Sequence, residues 1–290
     1  MTRLHILGAG TPTPTAERFG SSYVVETGGQ LLMVDCGPAT THKLVKEGLW
    51  PTDINALFFT HHHFDHDVDY PCFLLTRWDQ GAGKEEPLRV YGPDYTEEIT
   101  GRLIGPEGAF IHDIDARINF RGSQNVYVNR GGMLPRRPLV VHAQNIIAGW
   151  VHEAENWRVS TAQADHVQPY LDCLAYRVDT DDCSIVITGD SAPCDTVRDL
   201  AKGADVLVSM CWDHQSVMER EGEQLGQTGT VGAGELAASA GVRSLVLVHM
   251  GPNLSGPGAR ERALGEVRDV YDGEVFVSEE VSSLDFARRS

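Results

Sequence analysis

Residues 60–67 read T-H-H-H-F-D-H-D, so four imidazoles and two carboxylates follow one another almost without interruption. Residues 53–60, which come just before, form an apolar run of the length of a buried strand. On an extended chain His61 and His63 point to the same side. Imidazole nitrogens and carboxylate oxygens are ligands that zinc accepts. The stretch therefore predicts a metal site at the end of a buried strand.

The pattern His-x-His-x-Asp-His after an apolar strand resembles the metallo-β-lactamase fold superfamily. In that family the first two histidines serve one metal, and the aspartate and last histidine serve a second. The resemblance implies that His61 and His63 bind metal one, and that Asp65 and His66 bind metal two. His62 lies between ligands and is expected to point the other way along the strand.

The composition is that of an ordinary globular protein, with 41% hydrophobic and 22% charged residues in a chain of 290. No apolar run reaches the length of a membrane span, and the N-terminus leads directly into a strand without a signal segment. The six cysteines form no CxxC pair, which favours thiols in a reducing cytoplasm. The 41 acidic against 24 basic residues give a formal charge of -17, which does not favour nucleic acid as a partner.

Strand and helix patterns alternate along the first hundred residues, which indicates an α/β fold. From about residue 105 to 144 this periodicity fades, and the chain is expected to be an irregular insertion within a single domain covering residues 1–290. The insertion is locally basic, with arginines at positions 117, 121, 130, 136 and 137. It is interpreted either as a solvated surface segment or as a lid that contacts substrate or a second subunit, and a homodimer is expected.

The second half of the chain contains more polar residues at the ends of apolar strands. Asp190 follows residues 184–189, and His249 follows residues 244–248. A lone histidine, His166, precedes a strand that reads L-A-Y-R, which resembles the ribonuclease Z-like branch of the superfamily. His142 and His152 are the competing candidates for its position.

The resemblance implies a four-layer αβ/βα sandwich with two metals at one edge between the sheets. Carried over by position, metal one has His61, His63, His166 and Asp190, and metal two has Asp65, His66, Asp190 and His249. Two divalent cations, for which zinc is the first candidate and iron or manganese are alternatives, would share and activate a water. Asp65 is also expected to orient that water. An aspartate at position 35 is either a residue that supports the ligands or a plain turn residue.

The same branch includes enzymes that process tRNA 3′ ends, small phosphodiesterases and arylsulfatase-like enzymes. Its RNA-processing members have a His-Glu-Ala-Thr motif where this chain has residues 209–212, S-M-C-W, and a further histidine that residues 226–230 lack. We therefore expect a di-metal hydrolase of a small molecule such as an aryl sulfate, phosphodiester, ester, lactone or halogenated aromatic. Asp213 and His214 are the candidate proton donors beside Trp212. The alternatives are a tRNA 3′-processing endoribonuclease and a non-catalytic metal-binding protein of the same fold.

Overall fold

Two seven-stranded sheets face each other in the structure, a computed structural model that describes residues 1–286. The first sheet has the strand order β14-β1-β2-β3-β4-β5-β6, and the second has the order β13-β12-β11-β10-β9-β8-β7. The strands are β1 (Thr2–Ala9), β2 (Ser21–Thr27), β3 (Gln30–Val34), β4 (Ile54–Phe58), β5 (Leu88–Gly92), β6 (Val141–Asn145), β7 (Val151–Glu153), β8 (Trp157–Gln163), β9 (Leu174–Thr180), β10 (Ser184–Ile187), β11 (Val206–Met210), β12 (Ser244–Val248), β13 (Glu274–Val277) and β14 (Ser282–Phe286).

Helices cover the outer face of each sheet. They are α1 (Thr40–Lys46), α2 (Phe64–Asp67), α3 (Tyr70–Gln80), α4 (Thr96–Ile104), α5 (Ile111–Asn119), α6 (Arg121–Asn129), α7 (Asp195–Ala201), α8 (Gln215–Glu221), α9 (Thr230–Ala240) and α10 (Ala259–Arg268). Buried residues of α1 and α3 pack on the first sheet, and those of α7, α9 and α10 pack on the second. This arrangement is the predicted four-layer αβ/βα sandwich. Within the described part of the chain, no helix combines the length and apolar character needed to cross a bilayer.

Each central strand is buried on both faces, because it has the facing sheet on one side and helices on the other. In β3, Leu32 and Val34 belong to the core between the sheets, whereas Leu31 and Met33 belong to the core under the helices. This alternation follows from the period of two in a strand. The strands therefore read as continuous apolar runs, and polar residues collect where the strands end.

The structure corrects the expectation of an irregular segment at 105–144. Helices α5 and α6 and strand β6 lie within it, and β6 extends the first sheet beside β5. Each helix is only nine residues long and buries one residue, Ile114 in α5 and Tyr127 in α6. Such short helices with little apolar surface leave a weak periodicity in the sequence. Strands β7 and β14 and helix α8 were likewise not expected.

One carboxylate, that of Asp79 at the end of α3, holds this region to the rest of the fold. It accepts hydrogen bonds from Arg117 at 2.9 Å, from Arg130 at 2.8 Å and from Arg136 at 3.1 Å. The guanidinium of Arg136 also lies 3.9 Å from the ring centroid of Trp78. Three of the five arginines that suggested a substrate-contacting lid therefore have a structural partner.

We predict that Asp79→Asn lowers the free energy of unfolding by roughly 2 kcal/mol, somewhat less than removal of one partner from a fully buried pair. The reason is that the Arg136 side chain, which is 2% exposed, would remain buried without its anion. Chemical denaturation of the two proteins measures the difference.

Asp113→Asn is the matched control, because Asp113 pairs with Arg117 on the surface and should contribute at most about 1 kcal/mol. The arginines outweigh the effect of burial and hold the pKa of Asp79 below its ordinary value. The stability that Asp79 contributes is therefore fully present above the pKa that this carboxyl has in the unfolded chain. It is lost as the pH falls through the lower pKa of Asp79 in the folded protein. Equal stability of the two variants at neutral pH would contradict the structural role of Asp79.

Candidate metal centre

The loops at one edge of the sandwich bring together all seven residues proposed as metal ligands. They come from the loop after β4 and helix α2, the loop after β8, the loop after β10 and the end of β12. The residues form two groups, one of His61, His63, His166 and Asp190 and the other of Asp65, His66 and His249, and within each group the candidate ligand atoms lie within 4.8 Å of one another. Both sheets contribute, so the site lies across the gap between them.

The first group is an arrangement of three imidazoles and a carboxylate. The Nε2 atom of His61 lies 3.0 Å from Nδ1 of His63, and Nε2 of His166 lies 3.3 Å from the same Nδ1 atom. Oδ2 of Asp190 is 3.8 Å from Nε2 of His166. Nitrogen atoms with lone pairs thus converge on one small volume, which is the geometry that a cation requires.

The second group shares its space with the same aspartate. Nε2 of His249 lies 3.3 Å from Oδ2 of Asp65 and 3.1 Å from Oδ2 of Asp190. Nε2 of His66 lies 3.4 Å from Oδ1 of Asp190. Asp190 therefore lies between the two groups, one oxygen near His66 and the other near His166 and His249.

Asp35 orients His66, one residue of the second group, through a hydrogen bond. Its Oδ2 atom accepts a hydrogen bond from Nδ1 of His66 at 2.8 Å, and its Oδ1 atom accepts one from the backbone N–H of Thr60 at 2.7 Å. Asp35 is fully buried and has a positive φ of 61°, which is uncommon for a residue other than glycine. The hydrogen bond at Nδ1 leaves Nε2 of His66 free to face the site. Metal-binding histidines generally have such a partner, which fixes the orientation of the ring. Asp35 is therefore more than a turn residue.

Burial and neighbouring charges set the protonation of the site. Burial, reinforced by His66, holds the pKa of His61 well below its ordinary value, so the ring is neutral and can donate a lone pair. For Asp190, burial disfavours the charge, but His249 and His66 outweigh it and lower its pKa well below its ordinary value. For His66, the Asp190 and Asp35 carboxylates outweigh burial and raise its pKa well above its ordinary value.

Several buried polar atoms at the site lack a hydrogen-bond partner within the described chain, which indicates that the residues fit a metal. They include Oδ1 of Asp65, Nε2 of His66 and Oδ1 of Asp190. An unpaired polar atom in the interior costs free energy, and such atoms are expected to meet water or an ion. Imidazole and carboxylate donors together suit zinc, and also iron or manganese.

The ring of His62 points away from the two groups, as expected. Its Nδ1 atom lies 3.2 Å from Oδ2 of Asp67, and its Nε2 atom lies 2.8 Å from Oγ1 of Thr96. The competitors of His166 also lie elsewhere: His142 is an exposed residue of strand β6, and the ring of His152 stacks on Trp150.

The two candidate proton donors have partners outside both groups. Asp213 accepts a hydrogen bond from Nδ2 of Asn253 at 2.6 Å, and Nδ1 of His214 lies 3.0 Å from Oε2 of Glu266. A cavity of about 490 Å³ beside His214 contains none of the seven proposed ligands among its lining residues. The role of both residues as proton donors remains a prediction. Trp212 lies nearer, with its ring 6.1 Å from that of His249.

Two features of the site were not found from the sequence. The backbone carbonyl of Gly226 accepts a hydrogen bond from Nδ1 of His166 at 2.7 Å, and a backbone acceptor has no residue signature. A Cβ on Gly37 would lie 2.1 Å from the carbonyl oxygen of Asp65, so only glycine permits the turn to approach. Gly37, two residues after Asp35, was the available signal for this contact.

A four-layer αβ/βα sandwich with clustered histidines and aspartates at one edge defines a class of metal-dependent hydrolases. The model of the Metallo-beta-lactamase superfamily matches residues 15–220. The chain therefore belongs to the metallo-β-lactamase superfamily, and it is a metal-dependent hydrolase.

The chain is also similar to curated proteins named Ribonuclease Z. One, from Mycobacterium sp. strain KMS, is 32% identical over 273 residues, which cover 88% of this chain and 86% of that protein. Another, from Mycobacterium bovis strain BCG Pasteur, is 28% identical over 304 residues and 98% of each chain.

Two solved structures share the fold over 98% of each chain. The metallo-beta-lactamase fold protein YhfI from Bacillus subtilis has a TM-score of 0.73 and 22% identity. The short form of human tRNase Z has a TM-score of 0.67 and 19% identity. At these identities the similarity describes the fold alone.

We predict that the purified protein binds about two divalent metal ions per chain and that Asp190→Ala loses most of both. The reason is that this one carboxylate lies between the two groups. Elemental analysis of the zinc-supplemented protein measures the ratio. His62→Ala is the control and should retain the metals, since its ring contacts Asp67 and Thr96 instead. If both variants lost metal equally, the assignment of ligands would be wrong.

We predict that Asp35→Asn weakens metal binding by about 10- to 100-fold, the range found for residues that orient ligands. The amide cannot accept the His66 hydrogen bond with the strength of a carboxylate. Competition with a chromogenic chelator measures the affinity. Asp69→Asn serves as control, because Asp69 accepts hydrogen bonds from Thr41 and lies outside both ligand groups. An unchanged affinity in Asp35→Asn would refute the orienting role.

Proposed function

We propose that this protein is a di-metal phosphodiesterase and that its first candidate substrate is the 3′ end of a precursor tRNA. The observation that carries the proposal is the convergence of seven histidine and aspartate side chains into two adjoining groups. The name shared by relatives that align with nearly the whole chain supports the choice of RNA. It favours the tRNA-processing alternative over the small-molecule substrate expected from the sequence.

In this proposal each residue has a distinct task. His61, His63 and His166 hold one cation, and Asp65, His66 and His249 hold the other, with Asp190 shared; zinc is the first candidate for both. Bound cations would supply Lewis acidity, which makes water a nucleophile near neutral pH and stabilises charge on the phosphorus oxygens. Asp65 has its Oδ1 atom unpaired, so it can accept a hydrogen bond from the attacking water and orient it.

A small phosphodiester is the second candidate substrate, because the chain lacks the residues expected to protonate an RNA leaving group. The positions of the His-Glu pair hold Ser209 and Met210, and both are buried in strand β11. Loss of a general acid typically costs about 10²- to 10⁴-fold in rate for a poor leaving group. A phenolate leaves without a proton, so an aryl diester avoids this cost.

The remaining expectations are part of the same proposal. A single domain covers residues 1–290, the protein acts in the cytoplasm, and two copies associate as a homodimer. The absence of a CxxC pair and the six unpaired cysteines support a reducing compartment.

The experiment compares a precursor tRNA that has a 3′ trailer with bis(p-nitrophenyl) phosphate on one zinc-loaded preparation. We predict endonucleolytic release of the trailer, with the rate abolished in Asp190→Asn. That variant excludes a contaminating nuclease, which would be unaffected by it. Turnover of the aryl diester with the tRNA left intact would favour the second candidate. Failure of both substrates, with about two metals bound, would overturn the phosphodiesterase proposal.

A further inference from the structure

Three large apolar side chains are exposed on the loops and the short helix that carry residues of the metal centre. They are Phe64, which is 52% exposed, Tyr170, which is 84% exposed, and Leu225, which is 90% exposed. Each is close in the chain to a proposed ligand or to the residue that supports one. Exposed apolar side chains grouped around a site commonly contact a ligand.

Leu225 is held in place by contacts on both sides of it in the loop between α8 and α9. On one side, Oε2 of Glu223 accepts a hydrogen bond from the indole N–H of Trp212 at 2.7 Å. On the other side, the carbonyl of Gly226 accepts the hydrogen bond from His166. Hydrogen bonds therefore connect this loop to Trp212 and to His166. Leu225 lies between the two hydrogen-bonded residues, and its side chain is exposed to solvent.

Tyr170 and Phe64 belong to the same neighbourhood. Tyr170 lies four residues after His166, in the loop between β8 and β9, and its backbone N–H bonds the carbonyl of Val167 at 3.0 Å. Phe64 begins helix α2 directly after His63, whose Nδ1 atom lies 3.3 Å from Nε2 of His166. Tyr170 and Phe64 are therefore close in the chain to His166 or to a residue that contacts it, as Leu225 is.

Few cationic side chains are available at this edge to bind a phosphate backbone. In the described residues, the loops that leave the strands here contain a single arginine and no lysine. That residue, Arg18, is 9% exposed and donates a hydrogen bond to the Ser255 hydroxyl at 2.9 Å. Since cationic side chains supply most sequence-independent affinity for nucleic acid, substrate contacts beside the scissile bond must come from elsewhere.

We propose that Phe64, Tyr170 and Leu225 form an apolar rim that binds an aromatic ring carried next to the scissile bond. The inference rests on the proposed phosphodiesterase function and adds a specificity determinant to it. The ring is an unpaired nucleobase of the substrate, because a base presents a flat apolar face next to the phosphodiester. Stacking of a base on an aromatic side chain is tolerant of sequence, as a processing enzyme requires.

Two variants, Tyr170→Ser and Leu225→Ser, test the rim with two substrates that share a leaving group. The substrates are p-nitrophenyl thymidine 5′-phosphate and p-nitrophenyl methyl phosphate. If the rim binds the base, each variant should lose roughly 5- to 100-fold in kcat/KM on the thymidine ester only, the range that stacking of one base supplies. An equal loss on both substrates would mean that the rim contacts the leaving aryl group, which would overturn the assignment to a base. Met133→Ser is the matched control, because Met133 is 80% exposed and lies outside the rim.

A binding measurement separates the rim from the chemistry. The fluorescence of a dinucleotide that contains 2-aminopurine should be quenched by the zinc-loaded protein and less so by Tyr170→Ser. Quenching without turnover of either ester or of the precursor tRNA would reject the phosphodiesterase proposal and keep the ring-binding rim. Turnover with unchanged kcat/KM and unchanged quenching in both variants would overturn the rim. The rim would also be overturned if the variants changed only the sedimentation of the protein. In that case the side chains would belong to a contact between two copies.

Discussion

The structure depends on burying three carboxylates, those of Asp35, Asp65 and Asp190, in the gap between two sheets. Each is at most 5% exposed, and an isolated carboxylate would not remain ionised at such a depth. Imidazoles compensate for this burial: His66 bridges Asp35 and Asp190, and His249 contacts Asp65 and Asp190. Burial of the apolar strands stabilises the fold and so keeps these polar groups close together. Without a cation, some of their polar atoms have no hydrogen-bond partner among the described residues.

The sequence was informative where residue type and position act together. An apolar strand followed by T-H-H-H-F-D-H-D leaves few structural choices, because the strand is buried and its end must present the ligands. The alternation of strands and helices predicted an α/β fold, and the resemblance to the metallo-β-lactamase superfamily implied the four layers.

Other features depend on contacts that no local pattern encodes. Helices α5 and α6 were not predicted from the sequence. Ion pairs to Asp79, more than an apolar face, connect them to the rest of the fold. Strand β14 pairs with β1, which lies at the other end of the chain, so no local sequence pattern predicts this pairing. The missing His-Glu motif was interpreted as evidence for a small substrate, yet relatives that align with 98% of the chain are named Ribonuclease Z. A motif identifies a proton donor only if no other residue has taken over its role.

The division of the ligands between the two sheets has a consequence for how the protein is made. Residues up to Asn145 build six strands of the first sheet, and the second sheet is assembled from residues 151–277. A ribosome therefore releases His61, His63, Asp65 and His66 long before His249 exists. During that interval the chain contains four of the seven proposed ligands, and the three from the second sheet are missing. The last-made strand, β14, returns to the first sheet and closes the sandwich beside β1. A cation captured at the edge would then act as a cross-link between the early and late halves of the chain.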